Sequence, residues 1–168
     1  VNAQQSNVQS AARSLSFDPM KYTDLVNAKK SIDLAAESES TSNDPKMWYY
    51  RGKVYNMINS NTEAQKNNLD PEAIEKAVQS FINCIKTDTK KNYYDEVKSL
   101  VWQSAITLFN KGVNAYSSNN PEGALKIYEI IFGVFPLDPD NNLKRNNITP
   151  DILNKNMYFA ANKTGDKA

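Results

Sequence analysis

The sequence of 168 residues predicts an all-α protein, an α-α superhelix of stacked helix pairs, on three observations. Only five glycines occur and β-branched alternating runs are few, so little favours strands. Six of the seven prolines follow Asp, Asn or Thr: Asp18-Pro19, Asp44-Pro45, Asp70-Pro71, Asn120-Pro121, Asp138-Pro139 and Thr149-Pro150. Proline suits the first helical position because its missing N–H would have been an orphan there. The side chain before it can accept a bond from the next free amide. Four of these pairs, ending at Pro45, Pro71, Pro121 and Pro150, open stretches in which apolar residues recur at helical spacing.

The elements follow in order. A first helix is expected over 5–15 and a second over 22–39. A third starts at Pro45 and runs to Ile58, and a fourth spans 71–87. From Tyr93 to Ser117 the apolar residues Val97, Leu100, Val101, Ile106, Leu108 and Val113 mark one long helix, or two joined at a kink near Gln103. A helix over 121–132 and a last one from Pro150 to about Lys163 complete the set. The polar stretches 60–70 and 137–149 read as loops, long for a compact helical domain, and therefore as insertions. At this length the chain reads as a single domain over 1–168.

The segment "NNPEGALKIYEIIFGVFP" carries a small residue at Ala124, an aromatic at Tyr128 and a proline at Pro136. With Gly112 set at the glycine of the preceding helix, Leu108 falls four residues before it, and no gap is needed through Pro136. A second beat lies in "DPKMWYYRGKVYNM", where Trp48, Gly52 and Tyr55 keep the same spacing and "AIEKAVQSFINCIK" answers with Ala77, Phe81 and Cys84. "DLVNAKKSIDLAAESES", with Ala28, Ile32 and Ala35, looks like another answering helix, and "NMYFAANKTGDKA" like another first helix. On these residues the chain resembles the tetratricopeptide repeat family. The resemblance implies repeats over 5–40, 45–89 and 105–138, a partial one over 149–168, and hence a solenoid of about three helix pairs plus a final helix. Arg51 and Lys111 depart from the pattern, at a position usually apolar. Glycine at Gly52 and Gly112 would let paired helices approach closely, with aromatics filling the space between, and no pair buries its apolar face without a neighbour.

Composition narrows the function. Twenty Lys plus Arg face 19 Asp plus Glu, interspersed, which argues against the concentrated basic field of a nucleic-acid surface. No apolar run approaches the roughly 18 residues of a membrane span. Histidine is absent, removing the commonest general base and metal ligand. The single cysteine, Cys84, sits three residues after Phe81 on a helical face and is expected to be a small buried hydrophobe. No cofactor or metal is expected. At the N-terminus, Val1 and Ala3 fit the small-residue pattern of a signal-peptidase site before Gln4, an expectation of export to a bacterial periplasm or envelope.

The family resemblance implies a concave face lined by first helices that grips a protein or peptide. Carried onto this sequence, that face comprises Lys46, Tyr49, Lys53 and Asn56, then Phe109, Val113, Tyr116 and Met157. It would be basic and polar at one end and apolar-aromatic at the other, suited to an acidic segment beside an apolar anchor. The apolar stripe could equally pack against an adjoining helix or drive self-association. Two other classes stand beside this non-enzymatic reading. A glycan-binding component of nutrient uptake or sensing would use Trp48, Tyr49 and Tyr50. A carboxylate hydrolase would draw on Glu39, Glu72, Glu96, Glu122 and Glu129, but needs two acids at defined separation.

Overall fold

A computed structural model describes residues 3–165, and every described element is helical. In order these are α1 (Ala3–Ser14), α2 (Tyr22–Ala36), α3 (Pro45–Ser60), α4 (Thr62–Lys66), α5 (Ala73–Thr87), α6 (Tyr94–Ser117), α7 (Pro121–Phe132), α8 (Asn142–Arg145) and α9 (Pro150–Gly165). A single 3-10 turn, Phe135–Leu137, follows α7. The chain divides into two compact units, Val1–Val97 and Lys98–Ala168, with the division falling inside α6. Val1 and Ala168, on which the readings of both termini lean, lie outside the described residues.

Helix starts obey the capping rule. Asp44 accepts from the Lys46 amide at 2.9 Å, Asn120 from Gly123 at 3.0 Å and Thr149 from Ile152 at 3.3 Å, each ahead of a first-turn proline. Asp70 caps differently. It accepts from Glu72 N–H at 3.0 Å, but Pro71 and Glu72 form a turn and α5 begins at Ala73 instead of Pro71. The stretches expected as plain loops each hold a short helix. Asn61 accepts from Ala64 N–H at 2.9 Å and starts α4, which buries Ala64. Leu143 of α8 is likewise buried. Five and four residues are too few to display a period, which is why neither helix was visible in the sequence. Between Tyr94 and Ser117 the helix is continuous, so the two-helix alternative near Gln103 falls away.

In the first unit, α2 packs on both α1 and α3, and α3 packs on α5. Leu25, Ala28, Ile32 and Ala35 form the buried stripe of α2, spaced by three and four residues. Helix α5 is buried on much of its surface, including Ala77, Val78, Phe81 and Cys84. The seam between α3 and α5 depends on Gly52. A Cβ at that position would lie 2.5 Å from Phe81 Cδ1 and closer still to Cε1. The fully buried Phe81 ring therefore occupies the volume a side chain would take. In the second unit the same relation recurs, with a Cβ on Gly112 falling 2.8 Å from both Ile127 Cγ2 and Tyr128 Cε1. Ala28, Ala77 and Ala124 are all wholly buried. Trp48 is only half-buried: its indole N–H donates to the Ser42 carbonyl at 2.7 Å, so the ring lies across the turn before α3.

Turns here run on asparagine. Among the described residues those with positive φ are Asn68, Lys91, Asn119, Asn141 and Asn147, and none is glycine. Asn reaches the left-handed region at low cost because its short polar side chain bonds locally. Two of these turns are alike. After α5, Asp88 Oδ1 accepts from Asn92 N–H at 3.0 Å and Oδ2 from Tyr93 N–H at 2.7 Å, around left-handed Lys91. After α7 and its 3-10 turn, Asp138 Oδ2 accepts from Leu143 N–H at 2.7 Å and Oδ1 from the Asn142 side chain at 2.9 Å, around left-handed Asn141.

Cys84 is buried and its thiol donates to the Pro45 carbonyl at 3.3 Å. Burial, followed by the nearby Asp88 and Asp44 carboxylates, pushes the thiol pKa up to about 12. Native protein is expected to resist alkylation by iodoacetamide near neutral pH and to react fully once unfolded in denaturant. Mass spectrometry of the two samples checks this, and rapid native labelling would contradict the burial.

Candidate binding surfaces

The predicted face falls into the two units, Lys46, Tyr49, Lys53 and Asn56 in the first and Phe109, Val113, Tyr116 and Met157 in the second. In the first, Tyr49 is largely buried and sits at the centre of an aromatic cluster. Its ring lies 4.9 Å from Tyr50, edge to face, and 4.8 Å from Tyr93. The Tyr49 hydroxyl donates to Glu96 Oε2 at 2.8 Å and accepts from Lys53 Nζ at 2.9 Å, while Lys53 pairs with Glu96 Oε1 at 3.2 Å. Burial alone would lower the Lys53 pKa, but hydrogen bonds to Tyr49 and Glu96 carry it upward. Burial acts the other way on Tyr49 and raises its hydroxyl pKa.

This arrangement removes one of the two cations expected to receive an acidic ligand. Lys53 is already matched by Glu96, and an exposed pair of this kind is worth little net energy. Lys46 stays half-exposed on the N-terminal turn of α3, and Asn56 is half-buried. Sequence reasoning placed Glu96 only among possible acids and Tyr93 only as the start of the long helix, with no part in the face. The signal available was a carboxylate and an aromatic at the start of α6, but their pairing with α3 depends on how the helices pack.

In the second unit the Phe109 ring stands 6.1 Å from Tyr128, so Phe109 is partly absorbed by the core. Val113 remains 39% exposed. Tyr116 is half-buried beneath the Lys163 ammonium, 4.7 Å from its ring centre, and Lys163 also donates to the Tyr116 carbonyl at 3.3 Å. Met157 is half-buried on α9. The neighbouring Tyr158 and Phe159 are 63% and 45% exposed and meet edge to face at 5.8 Å.

Arg51, which breaks the repeat pattern, belongs to a third cluster. The fully buried Tyr55 donates to both oxygens of Asp33, at 2.7 and 2.8 Å. The Arg51 guanidinium lies 4.7 Å from the Tyr55 ring centre, donates to Ser80 Oγ at 3.0 Å and pairs with Asp33 at 3.4 Å. Lys29 pairs with Asp33 at 3.0 Å, and Lys76 with Asp70 at 2.6 Å. Burial of the ring, then the bond to Asp33, drives the Tyr55 hydroxyl pKa far above its ordinary value. The polar tips of Arg51, Lys29 and Lys76 thus complete a network around an aromatic core residue, which accounts for a charged residue at position 51.

Asp70 in this cluster is a pH-sensitive element. Burial works to raise its pKa, but bonds from Lys76 and Glu72 N–H, with the Lys29 charge, bring it below the ordinary 3.8. A folded-state pKa below the unfolded one gives stability that is full above the ordinary value and lost as pH falls through the folded value. Denaturant unfolding between about pH 6 and about pH 3 should therefore show wild-type stability falling with acid, and falling less steeply in Asp70→Asn. Parallel curves for the two proteins would contradict it.

Among the described residues no group of His, Cys, Asp or Glu could hold a metal ion, and no helix is long and apolar enough to cross a membrane. Glu39, Glu72, Glu96, Glu122 and Glu129 are all exposed. Comparison with protein-family models, curated proteins and solved structures finds no match to this chain.

Proposed function

We propose that the chain is a non-catalytic scaffold that binds a protein or peptide, built from stacked helix pairs of the tetratricopeptide type. The observation that carries this reading is the seam that occurs twice. Gly52 lies against Phe81 in one unit, and Gly112 against Ile127 and Tyr128 in the other. Each answering segment then ends in an aspartate-anchored turn with a left-handed residue three positions on. Two instances of a glycine set against an aromatic ring of another helix support a repeat, and a repeat protein works through an extended surface rather than a cleft.

The surface left over favours an apolar anchor over an acidic one. Val113 is exposed and Tyr116 and Met157 are half-exposed, whereas Lys53 is neutralised by Glu96. A partner segment would place an aliphatic or aromatic side chain against Val113 and Tyr116. The glycan reading through Trp48, Tyr49 and Tyr50 gains less support, since Tyr49 is 8% exposed and the Trp48 N–H is engaged. The carboxylate hydrolase gains none from five exposed glutamates.

Val113→Glu and Lys46→Glu test the reading separately, because both positions are outside the buried core. Each variant should melt as the wild type does. In affinity capture from the native source, Val113→Glu should lose specific partners and Lys46→Glu should lose fewer. Identical partner sets for wild type and Val113→Glu would overturn the assignment of this face.

A further inference from the structure

Helix α9 displays two adjacent aromatic rings, Tyr158 and Phe159, that are 63% and 45% exposed. An ammonium stands on either side of them along the helix. Lys155 lies 5.9 Å from the Phe159 ring centre, and Lys163, eight residues on, sits over Tyr116. Residues 152–165 include no aspartate or glutamate, and neither do 98–117 on α6. The first unit holds the opposite arrangement. Leu34 is 45% exposed near the end of α2, and the exposed Glu37 and Glu39 follow within five residues. Residues 31–45 contain four acids and no base. Asp33 belongs to the Tyr55 network and Asp44 to the α3 cap, which leaves Glu37 and Glu39 to face outward. The turn that carries them is held by the wholly buried Thr41, whose hydroxyl donates to the Ala35 carbonyl, and by Ser42 N–H donating to the Ser38 carbonyl at 3.0 Å.

Charge and scale choose the occupant of the ring pair. Two ammoniums are too few for a nucleic-acid backbone, whose binding rests on many phosphate contacts. A membrane-surface helix buries a continuous apolar face, whereas α9 shows Asn154, Lys155 and Asn162 around its rings. The patch matches one apolar anchor with two carboxylates beside it, and this chain carries that set itself. We propose that residues 34–39 of one copy dock on α9 of a second copy, with Leu34 against Tyr158 and Phe159 and with Glu37 and Glu39 towards Lys155 and Lys163. The two patches are distinct, so every copy offers one of each. A single turn laid on a single helix buries less than the roughly 1,200 Å² of a stable interface, so the association is weak, with a Kd of about 10 µM to 1 mM. This contact goes beyond the protein-binding reading and does not rest on it.

Sedimentation velocity of the purified full chain, from about 5 µM to about 1 mM, tests this. The average mass should rise above that of the monomer with concentration, and less so in about 0.5 M salt than in about 0.05 M, where exposed charges are screened less. Two charge reversals, Glu37→Lys with Glu39→Lys and Lys155→Glu with Lys163→Glu, should each weaken association at least about tenfold. An equal mixture of the two reversed proteins should recover it, because each altered patch then meets its complement. Leu34→Asn, at an exposed position, should produce a similar loss with no change of charge. A chain that stays monomeric to about 1 mM overturns the proposal. Phosphatidylglycerol vesicles or an acidic peptide bound through Tyr158 and Phe159 would in that case give the patch to another occupant. Association that neither reversal weakens, or that the mixture fails to recover, overturns it equally. Only one protein is present in the measurement, so its failure leaves the partner-capture test of Val113 untouched.

Discussion

Gly52→Ala is expected to destabilise the first unit by about 1–3 kcal/mol, and Gly52→Leu to abolish its cooperative melting. Helix interiors ordinarily favour alanine over glycine by roughly 1 kcal/mol, so propensity alone predicts the opposite sign. Packing decides the outcome. A Cβ at this position would enter the Phe81 ring, whose Cζ lies 2.9 Å away and other edge atoms nearer. That ring is wholly buried, so it has no solvent to move into. A smaller residue opposite should relieve the clash, and Gly52→Ala with Phe81→Leu should cost less than the two changes summed. Thermal and urea unfolding of the three proteins measure this coupling. A Gly52→Ala protein as stable as the wild type would mean that α3 and α5 do not meet through this glycine.

Asp33→Ala is expected to cost about 3 kcal/mol, the range for removing one partner of a largely buried charge pair. The carboxylate gathers Tyr55, Arg51 and Lys29, and its loss leaves the Tyr55 hydroxyl without an acceptor and the Arg51 guanidinium with Ser80 Oγ alone. Arg51 is poorly placed to find another, as its Nε is already buried with no partner. An unsatisfied buried donor costs more than a well-made bond contributes. Asp33→Ala combined with Tyr55→Phe deletes donor and acceptor together and should recover about 1 kcal/mol of the sum of the single losses. Additive losses would show that the hydroxyl and the carboxylate do not act as a unit.

Much of the helical pattern was legible in the sequence for a local reason. A capping side chain before proline is a signal confined to two residues, and Asp44, Asn120 and Thr149 act as that signal predicts. The glycine-to-aromatic spacing also carried through, because helical periodicity fixes which residues can reach a neighbouring axis. The short helices α4 and α8 were not legible, being shorter than the period needed to recognise them. Turn positions were also hidden, since Asn68, Asn119, Asn141 and Asn147 take the conformations usually flagged by glycine. The candidate face was only partly readable. Helical position brought Lys53 and Tyr49 together on α3, but the neutralising Glu96 is 43 residues from Lys53, a distance across which local rules carry no information. Arg51 shows the same gap, as its acceptors Asp33 and Ser80 come from two other helices.

The matched turns at Asp88 and Asp138 carry a consequence for how such a chain can grow. Each is specified within six residues, by one carboxylate closing on amides or an amide side chain just downstream. A junction so self-contained is a natural splice point. A genetic duplication or an engineered graft that cuts there would carry its own connector with it, so a helix could be added without redesigning the turn.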